Sequence, residues 1–299
     1  MTKNIAVIGL GSMGYGIAAS ALQGGHQVWG EDIDPDRVAQ FRSAGGQAGA
    51  ARDAAAALDA VVVVVLNAAQ TQEVLFGAAG IVAGLKPGAV VLSCATVPPD
   101  FARDMAARCA AAHVHYLDAP ISGGAAKAAL GQLTIMAAGT PDAFAAARPV
   151  LDSIAETVFE LGDSAGAGSA MKAVNQLLAG VHIATMAEAL TFGMTQGVSP
   201  TSFVEVISKC AGTSWMLENR APHIVDGDYT PLSQINIWPK DLGIVLDIAK
   251  SAGFSAPITA TALQQYMVAV GMGLGGEDDA AIAKVYARNA DLTLPGETA

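Results

Sequence analysis

A short apolar run, a glycine-rich turn and a helical pattern follow one another near the start of the chain. Residues 5–8 are apolar, the next six are Gly-Leu-Gly-Ser-Met-Gly, and a helical pattern follows from Ile17. A strand that passes through G-x-G-x-x-G into a helix binds the pyrophosphate of a dinucleotide, because N–H groups at the helix N-terminus face the phosphates. We therefore predict that the turn binds a dinucleotide through Gly9, Leu10, Gly11, Ser12, Met13 and Gly14.

The three glycines and a later acidic residue make this prediction more specific. We expect Gly9 to form the tight turn, Gly11 to admit the pyrophosphate, and Gly14 to let helix and strand pack closely. Asp32 ends the second predicted strand, where a carboxylate accepts hydrogen bonds from the adenosine ribose. A 2′-phosphate beside this carboxylate would be repelled, so the sequence predicts NAD rather than NADP. Arg37 is the nearest cation and is interpreted as a solvated surface charge.

The pattern of the chain changes near residue 162. Before it, β-branched runs alternate with alanine-rich helical patterns, which predicts βαβ units and a parallel sheet. The valines at 61–65 predict a central strand covered on both faces. A helical pattern over 168–197 carries few charges and predicts a helix buried almost all round, followed by further helices. We therefore predict an α/β domain over 1–163 and an all-α domain over 164–299.

Composition excludes several classes of protein. The chain has 299 residues, 52% of them hydrophobic, which is enough to build a core and argues against disorder. With 16 Lys and Arg against 27 Asp and Glu, the net charge of -11 argues against a nucleic-acid partner. Three widely spaced cysteines suit a reducing cytoplasm. The longest charge-free stretch, between Lys250 and Glu277, contains a proline and paired glutamines, so we predict a buried helix and no membrane partner.

Two further motifs carry candidate chemistry. Ser122 is followed by Gly123 and Gly124, so successive N–H groups could form one concavity for a carboxylate, with a plain turn as the alternative. Lys172 lies three and four residues before Asn175 and Gln176, on one face of the long helix. Burial lowers the pKa of a lysine toward the range in which it exchanges protons near neutral pH. These residues are therefore candidates for substrate binding and proton transfer.

Other arrangements of reactive residues are weaker. His113, His115 and Asp118 could be drawn as a metal set, but alternation on a strand makes an ordinary pair of histidines the better interpretation, and no metal is predicted. A nucleophilic hydrolase is disfavoured because the sequence contains no G-x-S-x-G motif. Trp215 is a candidate for the substrate pocket, with a core aromatic residue as the alternative.

Together these motifs resemble the β-hydroxyacid dehydrogenase family, which includes 3-hydroxyisobutyrate dehydrogenase and tartronate semialdehyde reductase. The sequence Lys240-Asp-Leu resembles a late signature of the same family. Longer stretches resemble its L-threonate dehydrogenase subgroup, and the likeness extends over essentially the whole chain. The stretches are 67–70, 75–77, 176–183, 214–220, 223–231 and 294–296.

The resemblance implies a Rossmann-type N-terminal domain and an all-α C-terminal domain, joined by a long interdomain helix, with the active site in the cleft between them. It implies Lys172 as the general acid/base and Asn175 as the residue that orients the substrate hydroxyl. Lys240 would contact both cofactor and substrate. The remaining implied contacts are Ser122, Gly123 and Gly124 for the substrate carboxylate and Leu66, Asn67 and Thr96 for the nicotinamide side.

Three positions depart from the family pattern. Asn67 replaces a common proline, and Ser93-Cys-Ala-Thr96 replaces Asp-x-Ser-Thr. Gln176 stands where some relatives have a second asparagine, which leaves open how it shares the hydroxyl-orienting role with Asn175.

The expected function is NAD-dependent oxidation of a small anionic hydroxyacid, with L-threonate favoured by the subgroup resemblance. Tartronate semialdehyde and 3-hydroxyisobutyrate are alternative substrates, and an imine-reducing relative is a further possibility. A non-catalytic NAD-binding module is the alternative of another class. The resemblance also suggests a homo-oligomer, either a dimer or a tetramer.

Overall fold

The structure is a computed structural model that describes residues 2–297. Contacts divide the chain into two compact units, 1–172 and 173–299. The division falls inside the long helix, and the predicted domain limits of 1–163 and 164–299 stay a prediction. Each unit has its own hydrophobic core.

A five-stranded parallel sheet forms the centre of the first unit, as the sequence predicts. Its strands lie in the order β2-β1-β3-β4-β5. They are β1 (Asn4–Ile8), β2 (Gln27–Glu31), β3 (Ala60–Val63), β4 (Val90–Ser93) and β5 (His115–Asp118). Strand β3 is central and fully buried. Alternate residues of β3 enter two different core clusters, so helices cover both faces of the sheet.

Six helices surround this sheet. They are α1 (Ser12–Gln23), α2 (Pro35–Ser43), α3 (Ala68–Phe76), α4 (Pro99–Ala111), α5 (Gly124–Ala129) and α6 (Pro141–Ile154). Polar side chains fix where several of them begin, because a side-chain oxygen at the N-cap accepts a hydrogen bond from an otherwise unpaired N–H group. Asp34 caps α2, Asn67 caps α3 and Thr140 caps α6.

A second, three-stranded sheet in the first unit is not predicted from the sequence. It consists of β6 (Ile121–Ser122), β7 (Leu133–Ala137) and β8 (Ala155–Glu160), in the order β6-β7-β8. Strand β6 is antiparallel to β7, and β7 is parallel to β8. Because β6 has only two residues, it is too short to show a periodic pattern.

The long helix α7 (Ala167–Thr195) begins and ends within two residues of the predicted limits. The prediction that it is buried almost all round is wrong, since Val174 is 54% and Phe192 66% exposed. Low charge shows that a helix is apolar, but not which of its apolar faces are covered. By length and composition alone α7 could cross a membrane. This is weak evidence for a membrane span, because the core helix of a soluble protein passes the same test.

The second unit is all-α over its described residues, as predicted. After α7 come α8 (Pro200–Ile207), α9 (Trp215–Asp226), α10 (Ile237–Ser251), α11 (Pro257–Gly271) and α12 (Ala283–Asn289). Trp238 and Tyr266 stack at the centre of the core, and a Cβ atom at Gly180 would lie 2.8 Å from the Trp238 ring. A buried pair between Arg220 and Asp279 completes the core, where burial raises the pKa of Asp279 to about 6.

Candidate functional site

Except for Lys240, which lies in α10, the residues predicted to bind the cofactor follow the carboxyl ends of neighbouring strands. The glycine-rich turn follows β1 and Asp32 follows β2, while Leu66 and Asn67 come after β3 and Thr96 after β4. Because these strands are parallel, their carboxyl ends share one edge of the sheet. The strand order reverses beside β1, which is where open α/β sheets bind ligands.

The glycine-rich turn is tightly packed at two glycines and open at the third. A Cβ atom at Gly9, whose φ is 99°, would lie 2.2 Å from the Val64 carbonyl oxygen. A Cβ atom at Gly14 would lie 1.8 Å from the Gly9 carbonyl oxygen. At Gly11 a Cβ atom would meet no described atom within 4 Å, and no described side chain caps α1 there. The turn therefore fits a pyrophosphate at the helix N-terminus.

Two backbone N–H groups fix the carboxylate of Asp32. Leu10 N donates to Oδ2 at 2.6 Å, and Asp34 N donates to Oδ1 at 2.9 Å. A carboxylate has about four acceptor positions, so Asp32 keeps capacity to accept from ribose hydroxyls. Asp32 thus lies beside the glycine-rich turn, and its contact with the ribose stays a prediction.

Arg37 lies at the surface, as expected from the sequence, and it also contacts the glycine-rich turn. Its Nη1 donates to the Leu10 carbonyl oxygen at 2.9 Å, and its Nε lies 3.3 Å from Oδ2 of Asp34. The side chain is 46% exposed, yet it contacts the backbone of the glycine-rich turn. The contact was not predicted because Leu10 and Arg37 are 27 residues apart, and local spacing does not report such a contact.

The residues predicted for the nicotinamide side have other contacts as well. Asn67 accepts a hydrogen bond from Gln70 N at 2.9 Å and so begins α3. Leu66 is 63% exposed, and its N–H donates to Oε1 of Gln70 at 2.9 Å. Thr96 is partly buried. The departure from proline at position 67 thus provides a helix cap, and the nicotinamide contacts of these residues stay predictions.

The Ser122 loop contains two consecutive glycines with positive φ. Gly123 has φ 134° and Gly124 has φ 75°, a conformation that L side chains rarely adopt. A Cβ atom at Gly123 would lie 3.0 Å from Cβ of Lys127, whereas one at Gly124 would meet no described atom within 4 Å. Ser122 is partly buried at the end of β6. The loop therefore leaves backbone groups accessible beside a hydroxyl.

Lys172 lies next to this loop. Its side chain is buried, and Nζ donates to the Ile121 carbonyl oxygen at 2.9 Å. Ile121 directly precedes Ser122, so the structure brings together two motifs that are 51 residues apart. A buried lysine amine beside a loop that can hold a carboxylate can exchange a proton with a small bound acid.

Asp118 fixes the start of the helix that carries Lys172. Its buried carboxylate accepts from Ser169 Oγ at 2.6 Å and from the N–H groups of Ser169 and Gly166, both at 2.8 Å. Burial raises the pKa of Asp118, and these hydrogen bonds act in the opposite direction. A Cβ atom at Gly168 would lie 2.4 Å from the Met136 carbonyl oxygen, so any larger residue at position 168 would clash with this backbone.

This role of Asp118 is not predicted from the sequence, where Asp118 enters only as a possible metal ligand. No local pattern signals this role, because Asp118 and the helix start that it holds are 48 and 51 residues apart. Among residues 2–297 no group of three or more His, Cys, Asp or Glu is arranged to hold a metal.

In the second unit, four polar side chains form one chain of contacts. Asn175 Nδ2 donates to Gln176 Oε1 at 2.9 Å, and Gln176 Nε2 donates to Asp241 Oδ2 at 2.5 Å. Nζ of Lys240 lies 2.5 Å from Oδ1 of Asp241. Gln176 and Asp241 are buried and Asn175 is partly exposed, so Asn175 is the accessible amide. Gln176 holds it in place.

Trp215 has a different environment. It is the first residue of α9, whose N-cap is Ser214, and it is 62% exposed. The alternative that it is a core aromatic residue is wrong, because a helix start at the surface exposes its first side chain. Its part in the substrate pocket stays a prediction.

Comparison with known proteins agrees with this geometry. A sequence family described as the NAD binding domain of 6-phosphogluconate dehydrogenase matches residues 4–162. A second, described as NAD-binding of NADP-dependent 3-hydroxyisobutyrate dehydrogenase, matches residues 166–286.

Individual relatives match over nearly the whole chain. L-threonate dehydrogenase of Cupriavidus necator is 48% identical over 99% of both chains. L-threonate dehydrogenase of Escherichia coli is 43% identical over 98% of this chain and 97% of its own. The crystal structure of 3-hydroxyisobutyrate dehydrogenase from Salmonella typhimurium is 44% identical, has a TM-score of 0.89, and matches over 95% of this chain and 99% of that one. The chain therefore belongs to the 3-hydroxyisobutyrate dehydrogenase family of NAD-binding oxidoreductases.

Proposed function

We propose that the protein oxidises L-threonate to its 2-oxo acid with NAD. The observation that carries the chemistry is the buried Lys172 amine, 2.9 Å from the carbonyl oxygen that precedes the Ser122 loop. The substrate is supported by the L-threonate dehydrogenases of Cupriavidus necator and Escherichia coli, which match nearly the full chain.

In this proposal Lys172 moves the proton of the reacting hydroxyl. During oxidation the neutral amine accepts the hydroxyl proton, and during reduction the ammonium group returns it. Ile121 holds Nζ beside the loop through its carbonyl oxygen. Bound NAD supplies the acceptor for the hydride that leaves the same carbon.

Other residues predicted from the sequence bind and orient the substrate. Ser122 Oγ and the N–H groups of Gly123 and Gly124 hold the carboxylate, which turns an encounter into an oriented approach. Asn175 orients the substrate hydroxyl, and Gln176 positions the Asn175 amide through the hydrogen bond between them. A chain with net charge -11 repels anions, so Lys240 supplies local positive charge for substrate and cofactor.

The glycine-rich turn binds the pyrophosphate, and Asp32 binds the adenosine ribose. Because a carboxylate repels a 2′-phosphate, we expect NAD to be preferred over NADP. Leu66, Asn67 and Thr96 line the nicotinamide side, and Trp215 contributes to the substrate pocket.

The decisive test is NADH formation by the purified protein with L-threonate, D-threonate, D-glycerate, 3-hydroxyisobutyrate and L-serine, each with NAD and with NADP. We expect the highest kcat/KM for L-threonate with NAD. Activity confined to three-carbon acids would overturn the assignment of L-threonate as the substrate. NAD binding without turnover of any hydroxyacid would overturn the enzymatic function and favour a binding module.

We also propose that the protein self-associates as a dimer or tetramer in the cytoplasm. Exposed apolar side chains on two helices of the second unit support self-association: Val174, Leu178 and Phe192 on α7, and Ile258, Met267 and Val268 on α11. Three free thiols suit a reducing compartment. Light scattering after size exclusion tests this proposal, and a monomeric mass at assay concentration would contradict it.

A further inference from the structure

A closed set of contacts joins the Leu10 backbone to three charged side chains at the end of β2. Leu10 N donates to Asp32 Oδ2, and Asp34 N donates to Asp32 Oδ1. Asp34 Oδ2 pairs with Arg37 Nε, and Arg37 Nη1 donates back to the Leu10 carbonyl oxygen. Leu10 thus contacts both groups: its N–H donates to the Asp32 carboxylate assigned to the ribose, and its carbonyl oxygen accepts from the Arg37 guanidinium.

Asp34 uses its two oxygens differently. Oδ1 accepts from Asp36 N at 3.0 Å and so begins α2, while Oδ2 faces Nε of Arg37 at 3.3 Å. An arginine is the side chain best suited to bind a phosphate, because its planar donors match phosphate oxygens. Nε and Nη1 are engaged by Asp34 and by the Leu10 carbonyl oxygen, so a 2′-phosphate would have to compete with these partners for the two groups.

We propose that Asp34 strengthens the preference for NAD over NADP that Asp32 sets. Asp32 accepts from the ribose and repels a 2′-phosphate. Asp34 holds the Arg37 guanidinium on the glycine-rich turn and keeps it from pairing with that phosphate. This inference rests on the proposed function, since it assumes that Asp32 marks the ribose position.

The test is the ratio of the two dissociation constants, measured by calorimetry on the full chain without substrate. Asp34→Asn removes the charge but keeps a residue that caps helices equally well. The matched control is Asp36→Asn, which removes one exposed negative charge from the same helix start and leaves the Asp34–Arg37 pair intact. The double variant Asp34→Asn with Arg37→Gln asks whether any gain depends on the freed guanidinium.

We expect Asp34→Asn to shift the ratio toward NADP by about fivefold, and Asp36→Asn by less than about twofold. The shift should vanish in the double variant. Equal shifts in the two single variants, or a gain that survives Arg37→Gln, would overturn the inference. If the wild-type protein binds NAD while the inference fails, the proposed function stands; if it binds neither dinucleotide, both are overturned.

Discussion

The glycine-rich turn and the segment around Lys172 are both candidate binding elements, but they are built differently. The turn consists of consecutive residues, and its shape comes from backbone packing of Gly14 against Gly9 and of Gly9 against Val64. The Lys172 segment depends on side chains that reach distant residues, with Asp118 holding the helix start 48 and 51 residues away. We therefore expect the glycine-rich turn to tolerate side-chain substitutions elsewhere in the chain. The Lys172 segment should lose its geometry when one buried side-chain partner is removed.

The largest expected effect is a loss of kcat without a loss of NAD affinity, which distinguishes the Lys172 segment from the glycine-rich turn. Lys172→Ala should lower kcat by roughly 10²–10⁴-fold, because proton transfer by a positioned side chain contributes about that much. The affinity for NAD should change little, since the glycine-rich turn does not include Lys172. Steady-state kinetics and calorimetry measure the two quantities. Near wild-type kcat would contradict the assignment.

Asp118→Asn should give the next largest effect. An amide in place of the carboxylate weakens the hydrogen bonds from Ser169 and Gly166, so we expect kcat to fall about tenfold with little change in NAD affinity. Burial raises the pKa of Asp118, so its carboxylate takes up a proton at higher pH than an ordinary aspartate. Asparagine does not titrate, so the loss of kcat at low pH that follows protonation of Asp118 should be absent from the pH profile of this variant. Ser169→Ala should cause a smaller loss, and an unchanged profile would argue against the positioning role.

Two glycine variants sharpen the description of the turn. Gly14→Ala places a Cβ where the structure has the Gly9 carbonyl oxygen, so it should lower the free energy of unfolding by about 1–3 kcal/mol and weaken NAD binding. Gly11→Ala has open space and should leave the unfolding free energy within about 1 kcal/mol while weakening NAD binding. Urea unfolding and NAD titration measure both effects. Equal stability losses would contradict the proposed difference between these glycines.

The smallest expected effect concerns the amide pair in the second unit. Gln176→Ala removes the partner of Asn175 and leaves Asp241 with one hydrogen bond fewer, so KM for the hydroxyacid should rise about threefold to tenfold. Asn175→Ala should affect kcat/KM more strongly, because Asn175 is the accessible amide. The opposite order would assign the hydroxyl-orienting role to Gln176.

Elements whose structure depends on neighbouring residues could be predicted from the sequence. The parallel sheet, the central position of β3 and the approximate limits of α7 follow from periodicity. The small β6-β7-β8 sheet was missed because β6 is too short, and the exposed face of α7 was missed because apolar composition does not report neighbours. The contacts of Arg37 and Asp118 join residues 27 to 51 apart, which no local pattern contains.

The central claim is that the Lys172 amine carries the proton. Its most direct test adds methylamine or ethylamine to the Lys172→Ala variant at saturating NAD and L-threonate. We predict that turnover rises with amine concentration, and that the rising part of the pH profile follows the pKa of the added amine. Bound NAD with turnover that no amine changes would contradict the claim.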